Sequence, residues 1–392
     1  MNQIQILCLS TEIGRGHPNY LDSVFELLRK QYPDQKLRFK TVFELSRGVS
    51  FASWKMAERF YLFGSRGRLV TDWYSWFRRR QGSVAEDSLA LKILGRDLKR
   101  SMRDFQGICL VEHPLVAKIL TGVCRTWYVH GEIAAPRECA IRGLEKIFVP
   151  TEETKNRLIF CGSDAHSLVV TGLLIEPGLK ETAEKSFLLR KKRIKSGKPL
   201  TIGFFTSGAY PAKHIKKILA GAKSVVEQNM KVIIFAGTDK RIFKVIKNEI
   251  SKWKVKLVVD KRDLSVSEEG WDIILVSRSF RQMETLRTVE LFHFLDLFVA
   301  ASHERTNWAC GLGLPIFVLF PLIGTFAEQN FEFAKKQGVA YPLESLNIAK
   351  NLGNTILRLR ENGELLKMAE NGFAVFPISG AEKVVEEIFK NQ

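Results

Sequence analysis

The chain has 392 residues, more than one hydrophobic core ordinarily serves, so two domains of ordinary size are expected. Hydrophobic residues make up 45% and charged residues 26%, a balance that excludes a wholly disordered chain. Sixty Lys and Arg against 42 Asp and Glu leave a formal charge of +18, which calls for an anionic counterpart: nucleic acid, an acidic membrane surface or a phosphorylated substrate.

In chain order, the opening reads as strand, loop and helix. Residues 4–9 form a short apolar run, 10–16 a small glycine-containing loop, and from Pro18 the positions Leu21, Val24, Phe25, Leu27 and Leu28 recur at helical spacing. Pro18 suits a first helical turn, where its missing N–H has no partner to lose. Further βα pairs follow: a strand at 108–111 ending in Glu112-His113-Pro114, one at 127–129 ending in His130-Gly131-Glu132, and one at 147–149 before the capped helix start Pro150-Thr151-Glu152-Glu153. A strand-like stretch at 169–173 precedes Glu176-Pro177. From 177 to 198 the chain carries eight basic and two acidic residues, which reads as a basic linker, solvated or helical, between domains.

A second α/β series begins at 199. Strands are expected at 200–205, 232–235, 256–259, 273–276, 297–300 and 315–320, each followed by polar loop residues and a helical pattern. Strands alternating with helices imply parallel sheets with right-handed crossovers, and ligands belong at the carboxyl ends of such strands. The expected domains are 1–176, 199–374 and a last helix over 375–392. The six cysteines form no CxxC pair, so reduced, packed thiols are expected. The start MNQIQILCLS has no basic leader and only a short apolar stretch, so neither a signal peptide nor a membrane span is expected.

Four stretches could carry chemistry. Gly14-Arg15-Gly16-His17 lies between a strand and a helix, where glycines allow close approach of a ligand, helix N–H groups face an anion, and His17 can take a proton near neutrality. Residues 302–307 (Ser302, His303, Glu304, Arg305, Thr306, Asn307) form a polar loop entering a helix, suited to a diphosphate with Arg305 as a clamp. Gly324 with Glu328, Gln329 and Asn330 offers directional groups for sugar hydroxyls. Residues 51–80 mix Phe51, Trp54, Phe60, Tyr61, Phe63, Trp73, Tyr74, Trp76 and Phe77 with Lys55, Arg59, Arg66, Arg68 and Arg78-Arg79-Arg80. That mixture suits an anionic membrane surface, and it also suits a core helix pair with a basic face or a nucleic-acid platform. No RNP-like, zinc-finger or helix-turn-helix signal supports nucleic acid, and no HExxH, paired-cysteine or Asp-rich pattern suggests a metal. His113 and His130 end strands and are read as hydrogen-bonded structural residues.

Taken in order, these features resemble the GT-B glycosyltransferases, in particular the group of monogalactosyldiacylglycerol synthase, the processive diacylglycerol glucosyltransferases and the peptidoglycan lipid-intermediate GlcNAc transferase. STEIGRGH at 10–17 is similar to that group's glycine-rich loop, Thr206-Ser207-Gly208 to its diphosphate-facing loop, and 302–315 to its donor loop, with Gly313-Leu314-Pro315 retained. Gly324 and Glu328-Gln329-Asn330 resemble its donor-sugar segment, and Gly380-Ala381-Glu382-Lys383-Val384-Val385 its last helix. The resemblance implies two Rossmann-like domains facing a central cleft, with the C-terminal helix returning to the first domain.

It also implies an inverting, metal-independent transfer from a UDP-linked sugar to a lipid or lipid-linked acceptor, with no cofactor beyond that co-substrate. His17 would be the base, and Gly14, Gly16, Ser207, Gly208, Arg278, Ser302, Glu304, Arg305, Thr306, Asn307, Gly324, Glu328, Gln329 and Asn330 would hold the donor. The protein would be cytoplasmic and dock peripherally on a membrane through 51–80. Where the group carries a ribose-binding glutamate this chain has Trp308, which cannot accept two hydroxyl hydrogens; Glu304 is the substitute at hand. Two alternatives follow. A nucleotide-sugar 2-epimerase of related fold needs buried acids, for which Glu112 and Glu132 are the visible candidates. A degenerate GT-B protein would only bind a lipid or a partner.

Overall fold

The computed structural model describes residues 3–14, 16–64, 89–260 and 269–390. Among these, one compact unit comprises 3–64, 89–177 and 376–390, and a second comprises the described part of 178–375.

The first unit is built on β1 (Gln5–Ser10), β2 (Lys36–Thr41), β3 (Ile108–Val111), β4 (Thr126–Val129), β5 (Lys146–Val149) and β6 (Leu168–Val170). They lie in the order β2-β1-β3-β4-β5-β6, and every pairing is parallel. β3 and β4 are buried along their whole length, because helices cover both faces of a parallel sheet; hence their largely apolar sequences ICLV and TWYV. β2 is different. It sits at the sheet edge and alternates Leu37 and Phe39 with Lys36, Arg38 and Lys40, which keeps an unpaired edge charged. The C-terminal helix Gly380–Phe389 buries Ala381, Val384, Val385 and Ile388 in this unit's core, against Leu21, Val24 and Leu28 of the helix Gly16–Gln31. Tyr32 stacks on Phe389 at 3.9 Å, and Lys146 pairs with Glu387.

The second unit holds β7 (Thr201–Phe205), β8 (Lys231–Phe235), β9 (Leu257–Asp260), β10 (Ile273–Val276), β11 (Leu297–Ala300), β12 (Ile316–Leu319) and β13 (Ala340–Leu343). Their order is β13-β12-β11-β7-β8-β10-β9, again all parallel. Ile202, Phe204, Val232, Ile234 and Val299 pack against Ile215, Ile218 and Val225 of the helix Ala212–Glu227. The opposite side of the sheet is aromatic. Phe205 stacks on Phe235 at 4.3 Å, and Trp308 meets Phe205, Phe292 and Phe298 at 5.4–5.8 Å. Two α/β units with parallel sheets agree with the expected fold class.

Of the two forms expected for the segment 177–198, the structure shows the helical one, packed on the second unit and not solvated. It forms the helices Pro177–Glu181 and Ala183–Lys195, and the second buries Phe187, Arg190 and Ile194 in the second unit. The charge run misled because the two key arginines face inward. The Arg190 guanidinium is fully buried and donates to the carbonyls of Leu295, Leu312 and Gly313 at 2.8–3.1 Å. Arg193 pairs with buried Asp296 at 2.7 Å, and that carboxylate also accepts from the Thr201 N–H. Replacing Arg190 by Met strands three buried carbonyls, so Arg190→Met is expected to cost about 3–5 kcal/mol. The exposed neighbour substitution Lys192→Met should cost under about 0.5 kcal/mol, and thermal melts of both variants check the contrast.

Candidate functional site

In the first unit the chemistry gathers beyond the carboxyl ends of β1, β3 and β4, which are adjacent in the sheet. Glu112 follows β3 and is wholly buried. Its Oε1 accepts from the Thr11 N–H at 2.8 Å and from the hydroxyls of Ser10 and Thr11 at 3.1 Å each. Its Oε2 is buried with no hydrogen-bond partner. Burial raises the carboxyl's pKa from an ordinary 4.5 to about 7, and the bonds from Thr11 and Ser10 only partly offset that. A carboxyl that changes protonation near neutrality and keeps one oxygen unengaged is equipped for general acid–base work.

Glu132 lies three residues beyond β4 and is buried too. The Tyr128 hydroxyl has its pKa raised, first by burial, with smaller contributions from the charges of both Glu112 and Glu132. The adjacent Gly131 faces the Tyr20 ring so closely that an added Cβ would come within 2.3 Å of it.

Gly14 has φ +79°, a conformation that favours glycine, and it packs against the Tyr61 hydroxyl. Gly16 opens the helix Gly16–Gln31, and Arg15 lies outside the described residues. His17, half-buried in that helix, meets the His113 ring edge-on at 5.6 Å. His113 caps the helix Pro114–Leu120, its Nδ1 accepting from the Leu115 N–H. The sequence reading of His113 as a hydrogen-bonded structural residue agrees with this bond. What it missed is that Ser10 and Thr11 hold Glu112; the signal was present as three polar residues, 10–12, directly after an apolar strand.

In the second unit, Ser207 and Gly208 follow β7, partly exposed. Ser302 is spent internally: its Oγ donates to the Ala327 carbonyl at 2.6 Å, and the Asn330 amide donates back to the Ser302 carbonyl at 3.2 Å. Asn307 is buried, Gly324 takes φ +89° before the helix Thr325–Lys336, Glu328 is exposed and Gln329 is half-buried. The Arg305 guanidinium lies over the rings of Phe205 and Trp308, at 4.8 and 5.3 Å, and its Nη1 donates to Glu304 at 2.7 Å. Its Nε and the Thr306 hydroxyl are buried without partners. Arg278 is buried and bonded to the Asp260 carbonyl and carboxylate at 2.7 and 3.1 Å. Trp308 is 4% exposed, a core residue of the aromatic layer.

Of the segment 51–80, residues 51–64 belong to the helix Gly48–Gly64, and 65–80 lie outside the described residues. Trp54 is fully buried and donates to the Leu94 carbonyl at 3.1 Å, whereas Phe51, Phe60 and Phe63 are exposed. Among the described residues no helix is long and apolar enough to cross a membrane, and no group of three or more His, Cys, Asp or Glu could hold a metal ion.

No protein-family model matches the sequence, and no curated protein matches it. Solved structures do match in fold. UDP-GlcNAc 2-epimerase from Neisseria meningitidis bound to UDP-GlcNAc is 15% identical, with a TM-score of 0.60 over 99% of this chain and 100% of that one. The Methanocaldococcus jannaschii UDP-GlcNAc 2-epimerase in complex with UDP-GlcNAc and UDP is 12% identical, with a TM-score of 0.53 over 99% of both chains. Anabaena Alr3699/HepE in complex with UDP and glucose is 12% identical, with a TM-score of 0.50 over all of both chains. The relation shown is a GT-B-like fold. The expected membership of the lipid-acting transferase group is corrected accordingly, because structures named as 2-epimerases share this fold along the whole chain.

The raised Glu112 pKa gives a stability test. Between about pH 4.5 and 7 the folded chain keeps a proton that the unfolded chain has lost, so stability falls as pH rises through that window. Gln has the same shape, accepts the same three bonds and carries no charge. Glu112→Gln is therefore expected to match the wild type near pH 5 and to exceed it at pH 8 by about 3 kcal/mol at most. Chemical denaturation at both pH values measures this, and an equal difference at both would contradict the assignment.

Proposed function

We propose that the protein is a nucleotide-sugar 2-epimerase, acting on a UDP-linked 2-acetamido sugar. The observation that carries this reading is Glu112: a buried carboxyl at a strand end, its pKa raised to about 7, with one oxygen held by the Ser10–Thr11 loop and the other unpartnered. The fold likeness to structures named as UDP-GlcNAc 2-epimerases supports it. The earlier expectation, transfer of a sugar to a lipid acceptor with His17 as base, is withdrawn. The lipid acceptor and the membrane-docking role of 51–80 go with it.

The chemistry follows from the substrate class. A C2–H in a 2-acetamido sugar has no adjacent carbonyl to acidify it, so a redox-neutral route couples its loss to departure of the diphosphate. A base takes the C2 proton, the C–H electron pair becomes the C1=C2 bond, and the C1–O pair leaves on the diphosphate. Reversal with protonation on the opposite face gives the epimer, and water addition instead gives the free sugar. Inversion therefore asks for two proton-transfer groups, and Glu112 and Glu132 are the buried carboxylates beyond adjacent strands.

Incubation of the protein with UDP-GlcNAc in D2O, followed by NMR, tests the proposal. Deuterium at C2, with a C2-epimer or free UDP appearing, is the expected outcome, and Glu112→Gln should slow it at least about 100-fold. Tight nucleotide-sugar binding with no C2 exchange would overturn the epimerase reading.

A further inference from the structure

The loop that carries Glu132 is held more completely than a strand-to-loop turn requires. Residues 130–136 are all buried. Three successive carbonyls within it each accept a side-chain donor. Thr154 Oγ1 donates to the Ile133 carbonyl at 2.8 Å, and Arg157 Nε donates to the Ala135 carbonyl at 3.1 Å; both come from the helix Glu152–Phe160. Between them, His130 Nε2 lies 2.9 Å from the Ala134 carbonyl. That carbonyl only accepts, so Nε2 carries the proton, and Nδ1 accepts from the Tyr128 hydroxyl at 2.9 Å. The imidazole thus closes a five-residue arc from 130 to 134, with Glu132 at its middle. Burial keeps the ring neutral by lowering its pKa to about 4, so one donor and one acceptor persist across the working range. At Gly131 an added Cβ would come within 2.3 Å of the Tyr20 ring, so the arc has no room for a larger residue there.

We propose that His130 is a positioning residue: its ring, braced by Tyr128, fixes the arc that presents Glu132 as the second proton-transfer group. This inference rests on the 2-epimerase reading for its chemistry and on the hydrogen-bonded arc for its structure. A displacement of about 1 Å in a reacting group costs on the order of 100-fold in rate, so a mount of this kind is worth its rigidity.

Two measurements test it. The first is kinetic. His130→Phe keeps the ring and loses both bonds, and it is expected to lower the rate of C2 exchange by about 10- to 100-fold with KM changed less than about twofold. His130→Gln, which restores a donor toward Ala134, should recover most of that loss. In a Glu132→Gln background, His130→Phe should cause little further loss, because the group it positions is already gone. Multiplicative losses, or a lowered melting temperature with an unchanged rate, would overturn the proposal. Should His130→Phe not fold, Tyr128→Phe weakens the same brace from its far end, with a smaller expected loss and the same non-additivity.

The second measurement does not depend on the reaction. Amide hydrogen exchange of residues 131–135 should be slow in the wild type and faster in the same variants, with the change confined to that arc. Unchanged protection would overturn the structural half. A wild type with no C2 exchange but with protection lost in the variant would sink the epimerase reading and the catalytic half, while leaving the arc as described.

Discussion

Removing a carboxylate from water is costly unless its oxygens are bonded or its charge is neutralised, and Glu112 meets that condition halfway. Three donors from Ser10 and Thr11 engage one oxygen, and the other faces no donor. The bonds tie the end of β3 to the loop after β1, its neighbour in the sheet. Burial accounts for the raised proton affinity, which the bonds from Ser10 and Thr11 only partly offset. Here one side chain both links two neighbouring strand ends and carries a raised proton affinity.

The parallel sheet makes this arrangement possible. All of its strands run the same way, so the loops after β1, β3 and β4 emerge at one edge. The side chains there are then fixed by local devices rather than by the sheet. His113 caps its own helix, Gly131 yields space to Tyr20, and His130 bridges Tyr128 to Ala134.

The second unit uses the same edge differently. Its aromatic layer takes in Trp308 as a core residue and lays Arg305 across two rings, so that one guanidinium nitrogen is held by Glu304 while another has no partner. A tryptophan at 308 is therefore explained by packing: it fills the space between Phe205, Phe292 and Phe298. Arg278 was expected beside a ligand and is instead committed to Asp260, since a buried carboxylate at the end of β9 needs a cation more than the solvent does.

The sequence by itself determined the two α/β units, most of the strands and the helix starts, because fully buried parallel strands are continuous apolar runs and caps are local. Two of the four edge strands were illegible for the same reason: β2 is charged on alternate residues, and β13 contains Pro342, so neither reads as a buried run. The basic stretch 177–198 was misread because composition counts charges without saying which way they face. Glu112 and Glu132 were visible as strand-end acids, yet nothing local distinguished them from solvated ones. Tertiary structure alone decided that both are dry, that Ser10 and Thr11 reach Glu112 across about a hundred residues of chain, and that His130 closes on Ala134. Proton affinity depends on desolvation and on bonding partners, and those are properties of the folded neighbourhood, not of the residue type.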